Sequence, residues 1–370
     1  QSNTTNIVSL STAGSQPDAD AYGLAISYGG RYVVFNSTAD NLVSGISGTT
    51  VSHTYMRDTL NSTTQLVDVN ASSVIANKSS AGASVSADGR FVAFASQATN
   101  LVSGATSQIY QIYVKDTHSG ALKIISVNSS GTPGTYDSQN PSISCDGNVI
   151  AFASMSPLVT GGRSGGVQGP DLYLAQLGWN NDELVDVTKN NNIAVAGPDY
   201  YQLSCNGNEV AFVSAATNVV TPNTSSGYQN AYKYSRITGD YTLVSVSSSG
   251  AQTNNAVGAN HVSISDDGRY VAFTSQASNM DSSYSTHYSD SQEDVYIRDT
   301  RKNTTDLVDV TWDGYRPAHV ASSSAIGLSP DGSSVIYRYS NVATGIYSGL
   351  KLIQSVGSTN IDVYKSETGF

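Results

Sequence analysis

The stretch Pro141-Ser-Ile-Ser-Cys-Asp-Gly-Asn-Val-Ile-Ala-Phe-Ala-Ser154 decides the fold, because near-copies of it recur along the whole chain. A typical copy has a short alternating apolar run, an Asp-Gly or Asn-Gly pair, and a second run rich in Val, Ala and Phe. Such pairs readily adopt the positive φ angles that a tight hairpin turn requires. Each copy is therefore expected to form two antiparallel strands.

Six copies follow one another at nearly constant spacing. The residue before the turn glycine is Gly29, Asp88, Asp146, Asn206, Asp267 or Asp331. The intervals between these positions are 59, 58, 60, 61 and 64 residues. Self-similarity at one period indicates an array in which a single structural unit is repeated.

Each copy is followed by further strand-like runs. A third run contains a repeat-equivalent tyrosine at Tyr55, Tyr113, Tyr173, Tyr232, Tyr296 or Tyr364. In five repeats a fourth run of the Leu-Val-Asp-Val type follows a short turn, as in Gln65–Val69 and Asp306–Val310. Four strands per repeat are typical of a propeller blade. The sequence thus predicts an all-β, six-bladed β-propeller of four-stranded antiparallel blades, in one domain over residues 1–370.

The two ends of the chain complement each other in this scheme. The predicted blades are 21–70, 81–128, 139–188, 199–247, 260–310, and 323–365 plus 6–12. The strand before the first blade consists of Asn6, Ile7, Val8, Ser9 and Leu10. It reads as a fourth strand without a blade, whereas the run around Ile361 and Val363 reads as a third strand without a fourth. The N-terminal strand would complete the last blade of its own chain or of a neighbouring molecule, and both outcomes stay open.

The composition limits the kinds of partner and the cellular location that can be expected. Only 13% of the residues are charged, and the net charge of −11 argues against nucleic acid and anionic membrane surfaces as partners. No apolar run reaches membrane-spanning length, so membrane insertion is not expected. The chain begins with Gln1, as a trimmed mature protein would. We expect a secreted, extracellular or cell-surface protein, with the periplasm as a further possibility.

Two cysteines occupy the same place in consecutive repeats. Cys145 and Cys205 each precede the hairpin turn, in the third and fourth copies. They are a disulfide candidate between neighbouring blades, provided that their Cα atoms lie within about 7 Å. The other interpretation is that both are small buried residues in equivalent core positions.

The repeat resembles a known family. The runs Ser86–Val102, Ile112–Thr117 and Ser144–Phe152 resemble the TolB-like, WD40-like (PD40) β-propeller repeats of bacterial and archaeal envelope and secreted proteins. The resemblance covers essentially the whole chain and implies a propeller fold. It implies less about function, because such propellers serve as interaction modules and as domains attached to enzymes. This chain departs from the pattern at Gly29-Gly30 and in an extra apolar run, Ile346–Val356.

No catalytic motif stands out. The histidines His53, His118, His261, His287 and His319 lack metal-ligand spacing, and a nucleophile elbow of the Gly-x-Ser-x-Gly type is not expected. The acidic residues Asp281, Asp290, Glu293 and Asp294 lack the order of a calcium loop. We therefore expect no catalytic residues, no metal, no cofactor and no enzymatic activity. A less favoured alternative is a polysaccharide lyase in which His261 and His319 converge on the propeller axis.

Long connections are expected on one rim of the propeller, where loops on a rigid scaffold commonly bind ligands. Tyrosine and tryptophan there would offer flat faces to a glycan or a protein ligand. The rim candidates are Trp312, Tyr315, Arg316, Tyr284, His287 and Tyr288. The N-glycosylation candidates are Asn3, Asn36, Asn61, Asn70, Asn77, Asn128, Asn223 and Asn303.

The leading functional hypothesis is a non-enzymatic structural or adhesive propeller, a glycosylated cell-surface or filament subunit that assembles with itself through its N-terminal strand. The alternative is a closed monomer that binds a glycan or peptide on the long-loop rim. The native mass of the isolated protein discriminates between the two.

Overall fold

A computed structural model describes most of the chain. The described residues are 6–46, 50–105, 108–160, 170–178, 183–186, 201–222, 224, 228–280, 293–308, 326–341 and 347–354. The chain divides into two compact units, residues 1–189 and residues 190–370. Neither unit contains a helix in these ranges, which confirms the all-β prediction.

The first unit contains three four-stranded antiparallel sheets, each with its strands in chain order. The first sheet has β1 (Ala21–Ile26), β2 (Tyr32–Ser37), β3 (His53–Asp58) and β4 (Thr63–Leu66). The second has β5 (Ser80–Val85), β6 (Phe91–Ser96), β7 (Gln111–Asp116) and β8 (Leu122–Ile124). The third has β9 (Ser138–Ile143), β10 (Val149–Ser154), β11 (Asp171–Gln176) and β12 (Glu183–Asp186).

The described part of the second unit continues the pattern. Its fourth sheet has β13 (Tyr201–Leu203), β14 (Glu209–Ser214), β15 (Asn230–Ser235) and β16 (Tyr241–Leu243). The fifth has β17 (Val257–Ile264), β18 (Tyr270–Ser275), β19 (Asp294–Asp299) and β20 (Thr304–Leu307). The last sheet has three described strands, β21 (Ile326–Leu328), β22 (Ser334–Asn341) and β23 (Tyr347–Gln354). A closed ring of six blades stays a prediction.

The third strand of the last sheet differs from the expectation. The run that sequence analysis treated as an extra insertion forms β23, which pairs with β22 from Ser334 opposite Gln354 to Asn341 opposite Tyr347. The strand predicted around Ile361 and Val363 lies outside the described residues. Both runs are apolar and β-prone, so a local pattern cannot choose between them.

The hairpin turns are built by side-chain capping, as the second sheet illustrates. The Ser86 hydroxyl donates to Asp88 Oδ1 (2.7 Å), which also accepts the Arg90 amide (2.9 Å). The Phe91 amide donates to Ser86 Oγ (2.9 Å), and Gly89 takes the positive φ of 74° that closes the turn. The Ser-x-Asp-Gly sequence thus supplies its own turn, because Asp and Ser readily accept hydrogen bonds from nearby amides.

The core repeats with the sequence. In each of five sheets a phenylalanine of the second strand stacks on the tyrosine of the third, with ring centroids 5.5–5.8 Å apart. The pairs are Phe35–Tyr55, Phe94–Tyr113, Phe152–Tyr173, Phe212–Tyr232 and Phe273–Tyr296. All ten side chains are almost fully buried. The Tyr55 hydroxyl donates to the Ala39 carbonyl (3.0 Å), so a buried polar group is satisfied while the ring packs.

An ion pair joins the second and third strands at the turn end of three sheets. Arg269 donates to both carboxylate oxygens of Asp299, at 3.0 and 2.6 Å. Burial alone would raise the pKa of Asp299, but the Arg269 guanidinium and two backbone amides lower it to about 2. Equivalent pairs are Arg31–Asp58 and Arg90–Asp116. This explains the aspartate that ends the third strand of these sheets.

Neighbouring sheets of the first unit interlock at the turn glycines. The Tyr32 ring lies 2.4 Å from the position that a Cβ on Gly89 would occupy, and the Phe91 ring lies 2.3 Å from that position on Gly147. The side chain that begins the second strand of one sheet therefore covers the turn glycine of the next. Only glycine leaves room for this contact.

Gly147→Ala is expected to lower the free energy of unfolding by about 2–4 kcal/mol, combining the cost of a positive φ with overpacking against Phe91. Gly120→Ala is a matched control, because Gly120 has the same φ of 75° and open space around its Cβ position. We expect the control to lose about 1 kcal/mol in urea denaturation. Equal losses for the two variants would contradict the interlocking role.

Candidate assembly site at the N-terminal segment

The N-terminal segment, residues 6–15, forms no strand within the described part of the chain. The pairing of Asn6–Leu10 with a last blade stays a prediction, because the run around Ile361 and Val363 lies outside the described residues. The segment is nevertheless ordered by its own hydrogen bonds. The Leu10 amide donates to Val8 O, and the Gly14 amide donates to Ser11 O, both at 2.9 Å.

The same bonds recur where the chain leaves the fourth strand of the fourth sheet. After β16, the Val246 amide donates to Val244 O (2.8 Å) and the Gly250 amide donates to Ser247 O (2.9 Å). The amides of Ser11 and Ser247 also each donate to the carbonyl four residues later, at 2.9 Å. The N-terminal segment thus has the local structure of a chain leaving a fourth strand.

A buried arginine holds this segment against the first sheet. Arg57, on β3, is 6% exposed and donates through Nη1 to Ser11 O (3.0 Å) and to Thr64 Oγ1 (3.1 Å). The Thr64 hydroxyl in turn donates to Leu10 O. The Thr64 amide donates to Thr12 Oγ1 (2.9 Å), which ties the segment to the outer strand β4.

The fifth sheet repeats this arrangement on a connection between sheets. Arg298 Nη1 donates to Ser247 O (3.3 Å) and to Thr305 Oγ1 (3.1 Å), and the Thr305 hydroxyl donates to Val246 O. The Thr305 amide donates to Ser248 Oγ (2.8 Å). In the first sheet, residues 10–12 therefore take the place of a chain segment arriving from a preceding sheet.

In the second sheet a lysine, in place of the arginine, donates to the carbonyl of the chain segment that arrives from the preceding sheet. Lys115 Nζ donates to Val69 O (2.7 Å) and to Gly120 O (2.9 Å). Burial lowers the pKa of Lys115 and likewise that of Arg298. Burial of these cations is tolerated because carbonyl oxygens take the place of water as their hydrogen-bond acceptors. Sequence analysis missed these three cations, Arg57, Lys115 and Arg298. They could have been recognised, because each occupies the same position in the third strand of its repeat.

A buried histidine joins the first and second sheets. His53 Nδ1 lies 3.0 Å from Asp68 Oδ2, which also accepts the Ser80 hydroxyl at 2.7 Å. The His53 and Asp68 side chains are 2% and 0% exposed. The carboxylate lies between the histidine and the serine, so the order differs from a nucleophilic triad, in which histidine is central. Because His53, Asp68 and Ser80 are buried from solvent, we interpret their hydrogen bonds as a structural link between the first and second sheets.

Most predicted ligand and catalytic residues cannot be placed. The rim candidates Trp312, Tyr315, Arg316, Tyr284, His287 and Tyr288 lie outside the described residues, as do His319, Asp281 and Asp290. His261 lies on β17. Among the described residues, no group of three His, Cys, Asp or Glu side chains is arranged to hold a metal ion.

The glycosylation candidates separate by burial. Asn36 is 6% exposed, and its amide nitrogen donates to Ser80 O at 2.6 Å, so this candidate is corrected: the folded chain has no room for a glycan there. Asn61, Asn77 and Asn303 are exposed, whereas Asn70 and Asn128 are partly exposed. Asn3 and Asn223 lie outside the described residues.

Both cysteines are described, and neither is a free thiol. The pairing of Cys145 with Cys205 stays the prediction made from their equivalent positions in consecutive repeats.

Known structures resemble this fold, although no family model and no curated protein sequence matches the chain. The β-propeller domain of the Trilobed protease from Pyrococcus furiosus, which has an open velcro topology, matches with a TM-score of 0.52, 9% identity and coverage of 94% of this chain and 86% of that one. A post-proline cleaving enzyme from Rickettsia typhi matches with a TM-score of 0.56 and 8% identity, over 95% of this chain and 45% of that one. TolB from Acinetobacter baumannii matches with a TM-score of 0.42 and 16% identity, over 86% of this chain.

The two matches with TM-scores above 0.5 define the fold class of the protein. The chain has a β-propeller fold, the class that the resemblance of its sequence to TolB-like repeats predicts. It spans 60% of the length of the Acinetobacter TolB chain and 45% of the Rickettsia enzyme.

The expectation of no enzymatic activity requires correction. Two of the similar structures belong to a protease and to a post-proline cleaving enzyme, so the same fold occurs within peptidases. The expectation that no Gly-x-Ser-x-Gly elbow is present was also wrong as a statement about the sequence, because Gly162-Arg-Ser-Gly-Gly166 matches this pattern; it lies outside the described residues. In the described part of the chain, no helix has the length and apolar character needed to cross a membrane.

Proposed function

We propose that the protein is a structural or adhesive subunit at the cell surface or in the extracellular space, which assembles head to tail through its N-terminal segment. The observation that carries this proposal is the shared geometry of residues 8–15 and 244–251. Both segments have the hydrogen bonds of a chain leaving a fourth strand, and both are clamped by an arginine and a threonine. Only the second follows a described sheet of its own.

A fourth strand needs a sheet with an open edge. The last sheet has three described strands, and the edge strand of an antiparallel sheet presents unpaired amides and carbonyls to an incoming strand. In the proposed assembly, the N-terminal strand of one copy adds to the last sheet of the next. Because the interface is heterologous, it propagates into a filament unless the rotation closes a ring.

The surface is consistent with an extracellular role. Charged residues make up 13% of the chain, and the glycan-acceptor sequences at Asn61 and Asn303 lie on exposed turns between third and fourth strands.

Deletion of residues 1–9 is expected to reduce the assembled protein to a single species near the subunit mass of 38.7 kDa, as measured by native mass spectrometry. This deletion retains Leu10, Ser11 and Thr12, so the contacts of Arg57 and the fold of the first sheet are preserved. Ile7→Asp should act in the same direction, because Ile7 is 56% exposed and available to a partner sheet.

Ile237→Asp is the matched control, since Ile237 is 67% exposed on a turn of the fourth sheet. It should leave the assembly unchanged. A wild-type protein that is only ever a 38.7 kDa species would overturn the proposal and favour the monomeric glycan- or peptide-binding alternative.

A further inference from the structure

The connection between the second and third sheets contains the glycan-acceptor sequence Asn128-Ser-Ser130, whose serines are exposed. The carboxamide oxygen Oδ1 of Asn128 accepts the amides of Ser130 and Thr132, both at 3.0 Å. The Gly131 amide donates to Asn128 O (2.8 Å), so the segment closes into a tight turn. Within the described part of the chain, the hydrogen bonds of this side chain involve Oδ1 alone, which leaves the amide nitrogen Nδ2 free.

Asn70 occupies the same place after the first sheet and provides an internal comparison. Its Oδ1 accepts the Ser72 amide (2.9 Å) and the Val74 amide (3.0 Å), so its turn is built in the same way. Its Nδ2, however, donates to Asn100 O at 3.3 Å. The two turns share their oxygen contacts and differ in the amide nitrogen, which is free at Asn128 alone.

Two further exposed acceptor asparagines also have an engaged amide nitrogen. Asn61 Nδ2 donates to Asp58 Oδ2 (2.9 Å), a bond strengthened by the charge of the carboxylate. Asn77 Nδ2 donates to Thr99 Oγ1 (3.0 Å). Exposure of the asparagine therefore does not by itself make the nitrogen available.

The hydroxyl two residues after the asparagine is the second requirement of an acceptor sequence. For Asn303 this hydroxyl belongs to Thr305, which is 2% exposed and donates to Val246 O. The hydroxyl-bearing residue for Asn128 is the exposed Ser130. Among the described acceptor sequences, the one at Asn128 therefore combines a free nitrogen with an accessible hydroxyl.

We infer that Asn128 is the position at which a glycosyltransferase attaches a glycan to the folded chain. The inference rests on the extracellular setting of the proposed function and names the acceptor sequence that is used. In the transfer, Nδ2 forms a bond to the anomeric carbon of a diphosphate-activated sugar. The bond from that carbon to the diphosphate oxygen breaks, the diphosphate leaves with the electron pair, and one amide proton is released to water.

The free nitrogen favours this chemistry. The lone pair of a carboxamide nitrogen is delocalised into the carbonyl, as in a peptide bond, so the nitrogen becomes nucleophilic only when its C–N bond rotates out of plane. A hydrogen bond from Nδ2, as at Asn70, opposes that rotation. At Asn128 the rotation breaks no described contact, and the two hydrogen bonds to Oδ1 are kept in the product.

The test compares the two matched turns in the protein isolated from the cells that produce it. Mass spectrometry of its proteolytic peptides should find a glycan on Asn128 and none on Asn70. Glycans on both turns would overturn the inference, because they would show modification before folding. A glycan on Asn70 alone, or on neither turn, would overturn it as well.

Variants produced in the same cells test the recognised atoms. Ser130→Ala should abolish the glycan on Asn128, whereas Ser130→Thr should retain it. Asn128→Asp should also lose the glycan and keep the urea-denaturation midpoint, since a carboxylate oxygen accepts the same two amides. Ser72→Ala is the matched control and should leave the glycan mass unchanged. A glycan retained on Asn128 in Ser130→Ala would contradict the assignment.

The native mass of the same sample separates this inference from the proposed assembly. A single subunit that carries a glycan on Asn128 supports the inference and overturns the assembly. A polymer without that glycan overturns the inference and leaves the assembly standing.

Discussion

Replacing His53 with alanine is expected to destabilise the protein by about 3 kcal/mol, because it removes a hydrogen-bond partner from the buried carboxylate of Asp68. Asp68 is fully buried and would retain the Ser80 hydroxyl on Oδ2, while its Oδ1 already has no hydrogen-bond partner. The loss should appear as a lower midpoint in urea denaturation with an unchanged slope.

The chain itself contains the matched control for this change. In the second sheet the equivalent pair is neutral, with the Ser126 hydroxyl donating to Gln111 Oε1 at 2.5 Å. The double variant His53→Gln with Asp68→Ser should therefore recover most of the lost stability. His118→Ala, at an exposed turn, should be neutral. A double variant as unstable as His53→Ala would show that packing, and not the isolated carboxylate, accounts for the loss.

Arg57→Met should release the N-terminal segment and lower the free energy of unfolding by about 3 kcal/mol, since hydrogen bonds to a charged group contribute about 1.5–3 kcal/mol each. The methionine keeps much of the buried aliphatic stem but donates nothing to Ser11 O or Thr64 Oγ1. Limited proteolysis should then cut the chain before Ala21 much faster than in the wild type, which a general loss of stability elsewhere would not produce.

Two variants calibrate the effect of Arg57. Arg31→Met removes an arginine whose side chain is 41% exposed, so water screens its ion pair with Asp58 and the variant should lose much less stability than Arg57→Met. Arg57→Lys should retain part of the stability, because Lys115 reaches a carbonyl from the equivalent place. If Arg57→Met and Arg31→Met expose the N-terminal segment to protease equally, Arg57 is not the residue that holds this segment against the first sheet.

The repeat could be predicted because its determinants are local. Ser86, Asp88 and Gly89 form their turn within five residues, and the alternation around Phe94 places the ring on the core side of its strand. A local determinant acts in the same way in every copy, so six imperfect copies reinforce one interpretation. The all-β class, the hairpins and the buried tyrosines all follow from this.

The N-terminal segment was only partly predictable. Its similarity to a fourth strand is a local pattern and was recognised at Asn6–Leu10. Its binding site was not, since Arg57 meets Ser11 across 46 positions of the chain. Whether the segment becomes a strand depends on a partner sheet, which a pattern of apolar residues does not specify.

The sequence by itself determined the repeat, its turns and its strand order, because each depends on contacts between residues close in the chain. The tertiary structure decided which polar groups are buried together, as at His53 and Asp68, and which acceptor sequences are accessible, as at Asn36. It also decided that β23 begins at Tyr347. Burial and pairing arise from packing between sheets, and packing depends on residues far apart in sequence whose approach no local pattern encodes.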